Sequence, residues 1–342
     1  MSEGLRLALY NLTAGDKEPN ESKGRGLDEY CVANYDRGTA FTMACRGFTL
    51  LSWNIWFDRF QMIPRCEAVS RLIQERLPSV VCLQEVTPLQ LQCLSRALSD
   101  LYAFSPYDEG CSYSTLTMAR KGAFASPVEF VRREFRSEQG RFLQAVMLPG
   151  GGPCVVNLHL ESLSNQDTRI DQLKTCRDFL SSSSLDPAAA ATSILCGDFN
   201  FCSYRNYRPS SAPLENDDLA RIFPDWRDVW PSLRPATAEQ EQEQEQEPEP
   251  EPGYTFDSAL NTMISTRAGG EERMRYDRVI LSPSTSSTLR AVSIELVGTE
   301  PISRAAGSAD VSGFSTPPPS ELRRDVFCSD HFGIFTTFEQ QD

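Results

Sequence analysis

The sequence is short of histidine: two in 342 residues. Its eleven cysteines form no Cys-x-x-Cys pair and no Cys/His cluster, which excludes a zinc finger or ribbon. Their number is odd, and Met-Ser-Glu-Gly-Leu-Arg lacks the basic-then-apolar pattern of a secretory leader. Both points argue for reduced thiols rather than a disulfide frame. We therefore expect an intracellular protein, in the nucleus or cytoplasm. No apolar run is long enough to span a bilayer, so no membrane partner is expected. A basic excess is missing as well. Net charge is −14, and the seven glutamates between Glu239 and Glu251 supply half of it. Such a chain has no global field with which to coat a polyanion. Any nucleic acid must be gripped through a local patch or a bound cation.

Apolar residues make up 40% of the chain, enough for a sizeable core in one large domain or two ordinary ones. Cys82, Cys154 and Cys196 lie inside apolar runs, as small core residues do. Residues 1–47 read as an N-terminal extension, polar and Gly/Asn/Asp-rich, with a short strand near Phe41–Cys45. Residues 48–340 read as one catalytic domain. Buried strands are expected at Phe48–Trp53, Val80–Gln84, Tyr113–Ala119, Phe142–Leu148, Cys154–Leu158, from Ser193, and at Tyr276–Leu281, Leu289–Leu296 and Phe332–Phe338. One helix is expected over Pro64–Leu77, with Cys66, Val69, Ile73 and Leu77 at helical spacing. A second opens at Thr87-Pro88 and turns Leu91, Leu94 and Leu98 inward. A third opens at Asn165 or Thr168 and buries Ile170, Leu173, Cys176 and Phe179/Leu180. Residues 238–252, a Glu-Gln then Glu-Pro repeat, have too little apolar surface to offset the entropy of ordering. They read as an insertion in the domain. Residues 306–321, with three successive prolines, read as a second surface loop. Many strands with few helices predict an α/β fold, a four-layer sandwich of two packed mixed β-sheets flanked by helices.

Polar residues cluster at the strand ends. Asn54 follows the first strand and Glu85 the second. Ser193-Ile-Leu-Cys-Gly-Asp-Phe-Asn carries Asp198 and Asn200, at the i, i+2 spacing that places side chains on one side of extended backbone. Taken alone, that stretch reads more simply as a strand followed by an Asx turn. Both histidines fall in polar motifs at strand edges: His159 in Leu-His-Leu-Glu-Ser and His331 in Ser-Asp-His. Glu85 follows a buried run, where an unpaired carboxylate costs several kcal/mol. A divalent cation is its natural partner, and one or two carboxylates plus water and phosphate suit magnesium. Asp277, in Tyr-Asp-Arg, is expected to orient His331. The plainer reading of Asp277 is a salt bridge to Arg275 or Arg278.

Six motifs then carry a resemblance: Trp53-Asn-Ile, Leu83-Gln-Glu-Val, His159-Leu-Glu-Ser, Gly197-Asp-Phe-Asn, Tyr276-Asp-Arg and Ser329-Asp-His. In this order they resemble the endonuclease/exonuclease/phosphatase superfamily, the DNase I-like fold, from about residue 48 to 338. Within it the chain is most similar to the 5′-tyrosyl-DNA phosphodiesterases, through His159–Ser162, Asn165–Leu173, Tyr254-Thr-Phe-Asp257 followed by Asn261, and Tyr113 after Asp-Glu-Gly. Four positions depart: Trp56 where the family often has Asp, Phe201-Cys202 where it usually has Leu-Arg, and Phe256 where it has Trp.

The resemblance implies a Mg²⁺-dependent phosphodiesterase, with Mn²⁺ as a substitute, that cuts 5′-phosphotyrosyl bonds on DNA ends carrying a tyrosyl or peptide adduct. It implies catalytic roles for Asn54, Glu85, His159, Asp198, Asn200, Asp277, Asp330 and His331. Glu85, Asn54 and Asp330 would hold the metal, and Tyr113, Ser162, Arg205 and Phe256 would touch substrate. A monomer is expected. The rival readings are another phosphohydrolase of the same fold (an RNA nuclease or deadenylase, an abasic-site endonuclease, a phosphoinositide phosphatase) and an inactive binding scaffold. Phe199 and the missing Asp at 56 fit a deadenylase; Tyr113 and Thr-Phe-Asp fit the tyrosyl enzyme.

Overall fold

The computed structural model describes residues 29–32, 47–108, 110–182, 185, 189, 192–203, 215–234, 252–266, 270–283, 289–302 and 325–340. The expected strand at Phe41–Cys45, residues 238–251 of the acidic stretch, the 306–321 loop and Arg205 lie outside them. In chain order the elements are β1 (Glu29–Val32), β2 (Gly47–Asn54), α1 (Met62–Arg76), β3 (Val80–Val86), α2 (Pro88–Leu98), β4 (Tyr102–Phe104), β5 (Ser114–Arg120), β6 (Glu129–Glu134), β7 (Phe142–Met147), β8 (Cys154–His159), α3 (Gln166–Leu180), β9 (Ser193–Asp198), α4 (Glu215–Ile222), β10 (Arg227–Asp228), α5 (Val229–Leu233), β11 (Phe256–Asp257), β12 (Arg273–Met274), β13 (Asp277–Leu281), β14 (Leu289–Val297) and β15 (Gly333–Gln340).

Two sheets form the middle of the molecule. One has seven strands in the order β1-β6-β7-β8-β9-β13-β10, and the other six in the order β14-β15-β2-β3-β5-β4. The pairs β2/β3 and β8/β9 are parallel and the other pairs antiparallel, so both sheets are mixed as expected. Period-two side chains serve two cores at once. Leu50, Val80 and Cys82 meet Val155, Ile194 and Cys196 between the sheets. Leu51, Trp53, Val81 and Leu83 face outward onto Val69 and Ile73 of α1 and Leu94 and Leu98 of α2. On the far side Val156 and Leu195 pack on Leu173, Cys176 and Phe179 of α3. The result is a four-layer α/β/β/α sandwich. No helix of the described residues is long and apolar enough to cross a membrane.

The helix starts differ in detail from the sequence reading. The α1 helix begins at Met62, two residues before Pro64, out of a left-handed Gln61 with no side-chain cap. Proline is tolerated in a first turn because that N–H has no intrahelical partner to lose. The α2 helix opens at Thr87-Pro88 as expected, and Gln90 completes a capping box: its amide donates to Thr87 Oγ1 at 3.2 Å and its Oε1 accepts the Thr87 amide at 2.8 Å. Replacing Thr87 by alanine should cost about 1 kcal/mol, read as a lower midpoint in urea unfolding at unchanged slope. Asn165 precedes α3 but does not cap it with its side chain; its Nδ2 donates to the Ser162 carbonyl instead.

Candidate active site

Strand register builds the site. His159 at the end of β8 lies opposite Asp198 at the end of β9, and Asp198 lies opposite Asp277 at the start of β13. Three neighbouring strands thus set an imidazole and two carboxylates in one row. The other sheet brings Asn54, opposite Gln84, to the ends of β2 and β3. The two halves join where Asn54 Nδ2 donates to Asp198 Oδ2 at 2.9 Å. Asn54 Oδ1 accepts the Trp56 amide at 3.0 Å.

Gly197 permits this approach. Its φ is +128°, and a Cβ there would lie 2.0 Å from the Leu158 carbonyl oxygen. The reason for glycine is the closeness of two strands rather than a turn. The turn comes after it: the Asn200 amide donates to Asp198 Oδ1 at 2.8 Å, and Asn200 sits at φ 55°. So the Asx turn is present, and it presents the carboxylate. Asn200 does not leave the strand beside Asp198, because the backbone is no longer extended. Its Nδ2 donates to the Leu160 carbonyl at 2.9 Å.

Burial pushes the Asp198 carboxyl up, but the imidazoles of His331 and His159 and the donors on Asn54 and Asn200 more than offset it and hold it below the usual carboxylate range. Asp198 is therefore ionised at neutral pH.

The two histidines are in opposite states. His159 Nδ1 lies 2.7 Å from Arg141 Nη1. A guanidinium only donates, so Nδ1 accepts and the proton sits on Nε2. That Nε2 faces Asp198 Oδ2 at 3.6 Å and Glu85 Oε1 at 3.8 Å. Burial and the Arg141 charge hold the ring well below its usual value, hence neutral. His331 Nδ1 lies 2.7 Å from Asp277 Oδ2. Burial opposes its charge, but the carboxylates of Asp277, Asp330 and Asp198 raise it well above the usual histidine value. The expected Asp277–His331 pair is thus formed.

The plainer reading of Asp277 fails for a visible reason. Arg275 and Arg278 both turn to Asp228, at 2.7 Å each. Burial opposes ionisation of Asp228, yet the two guanidiniums hold its carboxyl at about 2. Asp228→Asn should therefore destabilise the fold by about 3–5 kcal/mol, since two buried cations lose their carboxylate. Because the folded value is depressed, the stabilisation is present above pH ~4 and lost as pH falls toward about 2. The mutant should lack that acid limb, measured by chemical unfolding across pH.

Glu85 and Asp330 make the acidic end. A β-bulge interrupts β3 between Leu83 and Val86, and Glu85 sits in it at φ 60°. Bulges of this kind re-aim a side chain at a strand end. Glu85 Oε2 accepts the Phe57 amide at 3.1 Å. Burial, then the Asp330 charge, push its carboxyl up to about 7, and burial raises Asp330 as well. Two oxygen donors that each resist ionising beside the other fit a hard divalent cation, which would relieve both. Asp198, Asp277 and His331 also bring one donor atom each within 4.8 Å of one another. Two of those residues, Asp277 and His331, are bonded to each other at 2.7 Å.

Loops are pinned from behind by motif residues and by Arg65, which the sequence reading did not single out. Buried Arg65 donates to the carbonyls of Ile55, Trp56, Asp58 and Phe60 at 2.5–3.2 Å, fixing the segment between Asn54 and α1. Trp53 Nε1 donates to the His331 carbonyl at 2.9 Å, and Ser329 Oγ to the Asn54 carbonyl at 2.6 Å. Asn261 Nδ2 donates to the Ser329 carbonyl at 2.8 Å, and Thr255 Oγ1 accepts the Asp277 amide at 3.1 Å. The Thr-Phe-Asp feature with Asn261 thereby braces His331. Buried Glu161 accepts from Ser137 Oγ, the amides of Glu138 and Gln139, and Gln172 Nε2 at 2.6–3.1 Å. That is why His-Leu-Glu-Ser carries a glutamate.

Of the residues expected to touch substrate, Tyr113 and Phe256 stand at the site. Tyr113 is stacked on Phe57 at 4.7 Å with Arg141 5.2 Å from its ring centre. Phe57 is 44% exposed. Phe256 meets the His331 ring edge-on at 5.1 Å. Ser162 Oγ instead donates to Gln139 Oε1 at 2.9 Å, and Gln139 in turn accepts from Arg141 at 3.2 Å, so it supports the arginine behind His159. Phe201 and Cys202 are buried, and Phe199 fully so. The Phe201-Cys202 departure therefore falls in the core, and Phe199 lends no support to a deadenylase.

Residues 51–331 match the Endonuclease/Exonuclease/phosphatase family. A search of the curated proteins finds no match. Among solved structures, D. rerio TDP2 complexed with single-strand DNA product is similar at 23% identity and a TM-score of 0.60, over 86% of this chain and 99% of that one. Truncated Caenorhabditis elegans TDP2 is similar at 22% identity and a TM-score of 0.61, over 86% and 98%. An endonuclease/exonuclease/phosphatase from Beutenbergia cavernae follows at 17% and 0.53, over 86% and 72%. With the sandwich, the register-aligned carboxylates and the two imidazoles in place, the match over most of the chain identifies it: the protein belongs to the endonuclease/exonuclease/phosphatase family and is a metal-dependent hydrolase of phosphodiester bonds.

Proposed function

We propose that this protein hydrolyses 5′-phosphotyrosyl bonds joining a tyrosyl or peptide adduct to a DNA end, with Mg²⁺ as cofactor. The observation that carries the reaction is Asp198, ionised and held by Asn54 between a neutral and a charged imidazole. The aromatic wall of Phe57 and Tyr113 beside Glu85 and His159 supports a substrate with a ring next to the scissile phosphate. The structural likeness to TDP2 points the same way.

Glu85 and Asp330, with the remaining lone pair of Asn54 Oδ1, would hold the cation. When bound it supplies polarisation of the phosphoryl oxygen and stabilisation of the leaving oxygen. Asp198 takes the proton of the attacking water, and Asn200 keeps the carboxylate oriented through its amide. The His159 Nε2–H and charged His331 donate to the non-bridging oxygens, whose charge grows in the transition state. Asp277 fixes His331, and Arg141 fixes the His159 tautomer. Water adds to phosphorus, the P–O(aryl) bond breaks, and the products are a 5′-phosphate and a phenol. A phenol of pKa ~10 leaves without a strong acid.

A substrate panel tests the reading: a 5′-phosphotyrosyl oligonucleotide, an abasic duplex, poly(A) and an inositol phosphate, each with Mg²⁺. The phosphotyrosyl substrate should be cleaved with a kcat/KM at least about tenfold above the others. Preference for any other member overturns the substrate while leaving the family chemistry intact.

A further inference from the structure

Two thiol contacts occur among the described residues. Cys82 meets Cys196 between the sheets, and both are fully buried. Cys66 of α1 meets Cys93 of α2. Here Cys66 is buried and Cys93 is partly exposed. Both belong to the apolar layer in which the two helices pack on the six-stranded sheet. The Cys66 thiol faces the Gln90 carbonyl at 3.6 Å. Cys93 follows Gln90 by three residues, about one helical turn, and so lies on the same face of α2. The Ser70 hydroxyl, one turn beyond Cys66 on α1, borders the Cys93 sulfur as well.

The two thiols also differ in acidity. The contact with Cys93, and then burial, push the Cys66 thiol up. The same contact lowers Cys93 by more than burial raises it. The more exposed and more easily ionised thiol is the one a small oxidant attacks first. Cys82 and Cys196 offer no such entry.

What stands next to the pair gives oxidation a consequence. Arg65 precedes Cys66 in the chain, and Gln90 lies one turn before Cys93. Both reach the segment that follows Asn54. Arg65 donates to the carbonyls of Ile55, Trp56, Asp58 and Phe60, and Gln90 Nε2 donates to those of Ile55 and Trp56 at 3.2 and 3.1 Å. From that segment the Phe57 amide donates to Glu85 Oε2 at 3.1 Å. A disulfide brings its sulfurs to ~2.0 Å, closer than two thiols in contact. Closing it therefore shifts α2 against α1 beneath this segment.

We infer that Cys93 and Cys66 are a peroxide-oxidisable pair whose disulfide lowers hydrolysis by displacing the supports of the segment after Asn54. The Cys93 thiolate attacks one oxygen of hydrogen peroxide. The O–O bond breaks, leaving a sulfenic acid on Cys93 and a hydroxide that takes a proton to become water. The Cys66 sulfur then gives up its proton and attacks the Cys93 sulfur. The S–O bond breaks and a second water leaves. Two thiols and one peroxide thus give one disulfide and two waters.

The test exposes the full chain to a small excess of hydrogen peroxide, removes the excess with catalase and maps bridges by mass analysis of the unreduced digest. Cys66–Cys93 should be the main bridge. Hydrolysis of whichever phosphodiester the wild type cleaves should fall at least about fivefold and return with dithiothreitol. Cys93→Ser should form no such bridge and keep its untreated rate through the same exposure. Cys66→Ala should behave alike, and stands in if the first variant is unstable. The inference rests on the hydrolytic role proposed for the site, but a different preferred substrate would leave the bridge and its test intact. Absence of the bridge overturns the inference. So does a bridge formed without loss of rate, or an equal loss in Cys93→Ser.

Discussion

Asp198→Asn should lower the hydrolysis rate by at least about 10²-fold and leave the melting temperature within a few degrees of wild type. The change keeps shape and one of the two local contacts: the Asn200 amide still finds an oxygen, while the new NH₂ stands where Oδ2 accepted from Asn54 Nδ2. What it removes is the negative charge between two imidazoles; the other carboxylate of the row, Asp277, is bonded to His331 Nδ1. His159 cannot replace it, because Arg141 occupies its Nδ1 and its Nε2 already carries a proton. His331 cannot, because Asp277 and its neighbours keep it protonated. The effect should appear in kcat rather than KM, since the carboxylate is needed for proton transfer and not for phosphate binding. Removing Asn54 as well should cost little more, because the two act as one unit. A variant that keeps a tenth of wild-type activity would place the base elsewhere.

The second large effect concerns Glu85. Its carboxyl sits at about 7 through burial and the charge of Asp330, above the ordinary value near ~4.3. Two consequences follow with opposite signs. Without a cation, the folded state binds this proton more tightly than the unfolded state, so Glu85 makes stability fall as pH rises from ~4.5 to about 7. With a cation, the ligand must be ionised, so apparent metal affinity should rise up to about tenfold per pH unit below that value and level off above it. Glu85→Gln should abolish this pH dependence and weaken metal binding by about 10–100-fold or more. Calorimetric titration with Mg²⁺ or Mn²⁺ at several pH values reads both, with no substrate present. Metal affinity that is flat from pH 5 to 8 in the wild type would remove Glu85 from the ligand set.

The fold was legible wherever strands were long and buried on both faces. Val80–Leu83 and Cys154–Val156 read as unbroken apolar runs because each strand serves two cores. Short elements were not: β4, β10, β11 and β12 have two or three residues each, too few for a period. The β6 strand carries only Phe130 and Val131 between charged residues, and β1 lies in what read as an extension. At the site, the acidic residues and imidazoles were legible as polar residues at strand ends. Their supports were not. Arg65, Arg141 and Asp228 look like surface charges in sequence, and only the three-dimensional arrangement shows that the two arginines are buried and that Asp228 is bonded to two guanidiniums. The left-handed Glu85 depends on a bulge that no local residue announces. The partners of Ser162 and the burial of Phe201-Cys202 were not legible either: the serine hydroxyl donates to Gln139 beside Arg141, and the altered motif lies in the core.

The most direct test of the account is hydrolysis of a 5′-phosphotyrosyl oligonucleotide in H₂¹⁸O with Mg²⁺, followed by mass analysis of both products. Attack by an Asp198-activated water at phosphorus predicts one ¹⁸O in the 5′-phosphate of the DNA, none in the tyrosine phenol, and no product in Asp198→Asn on the same timescale. Label in the phenol, or wild-type and variant yielding product equally, would contradict it.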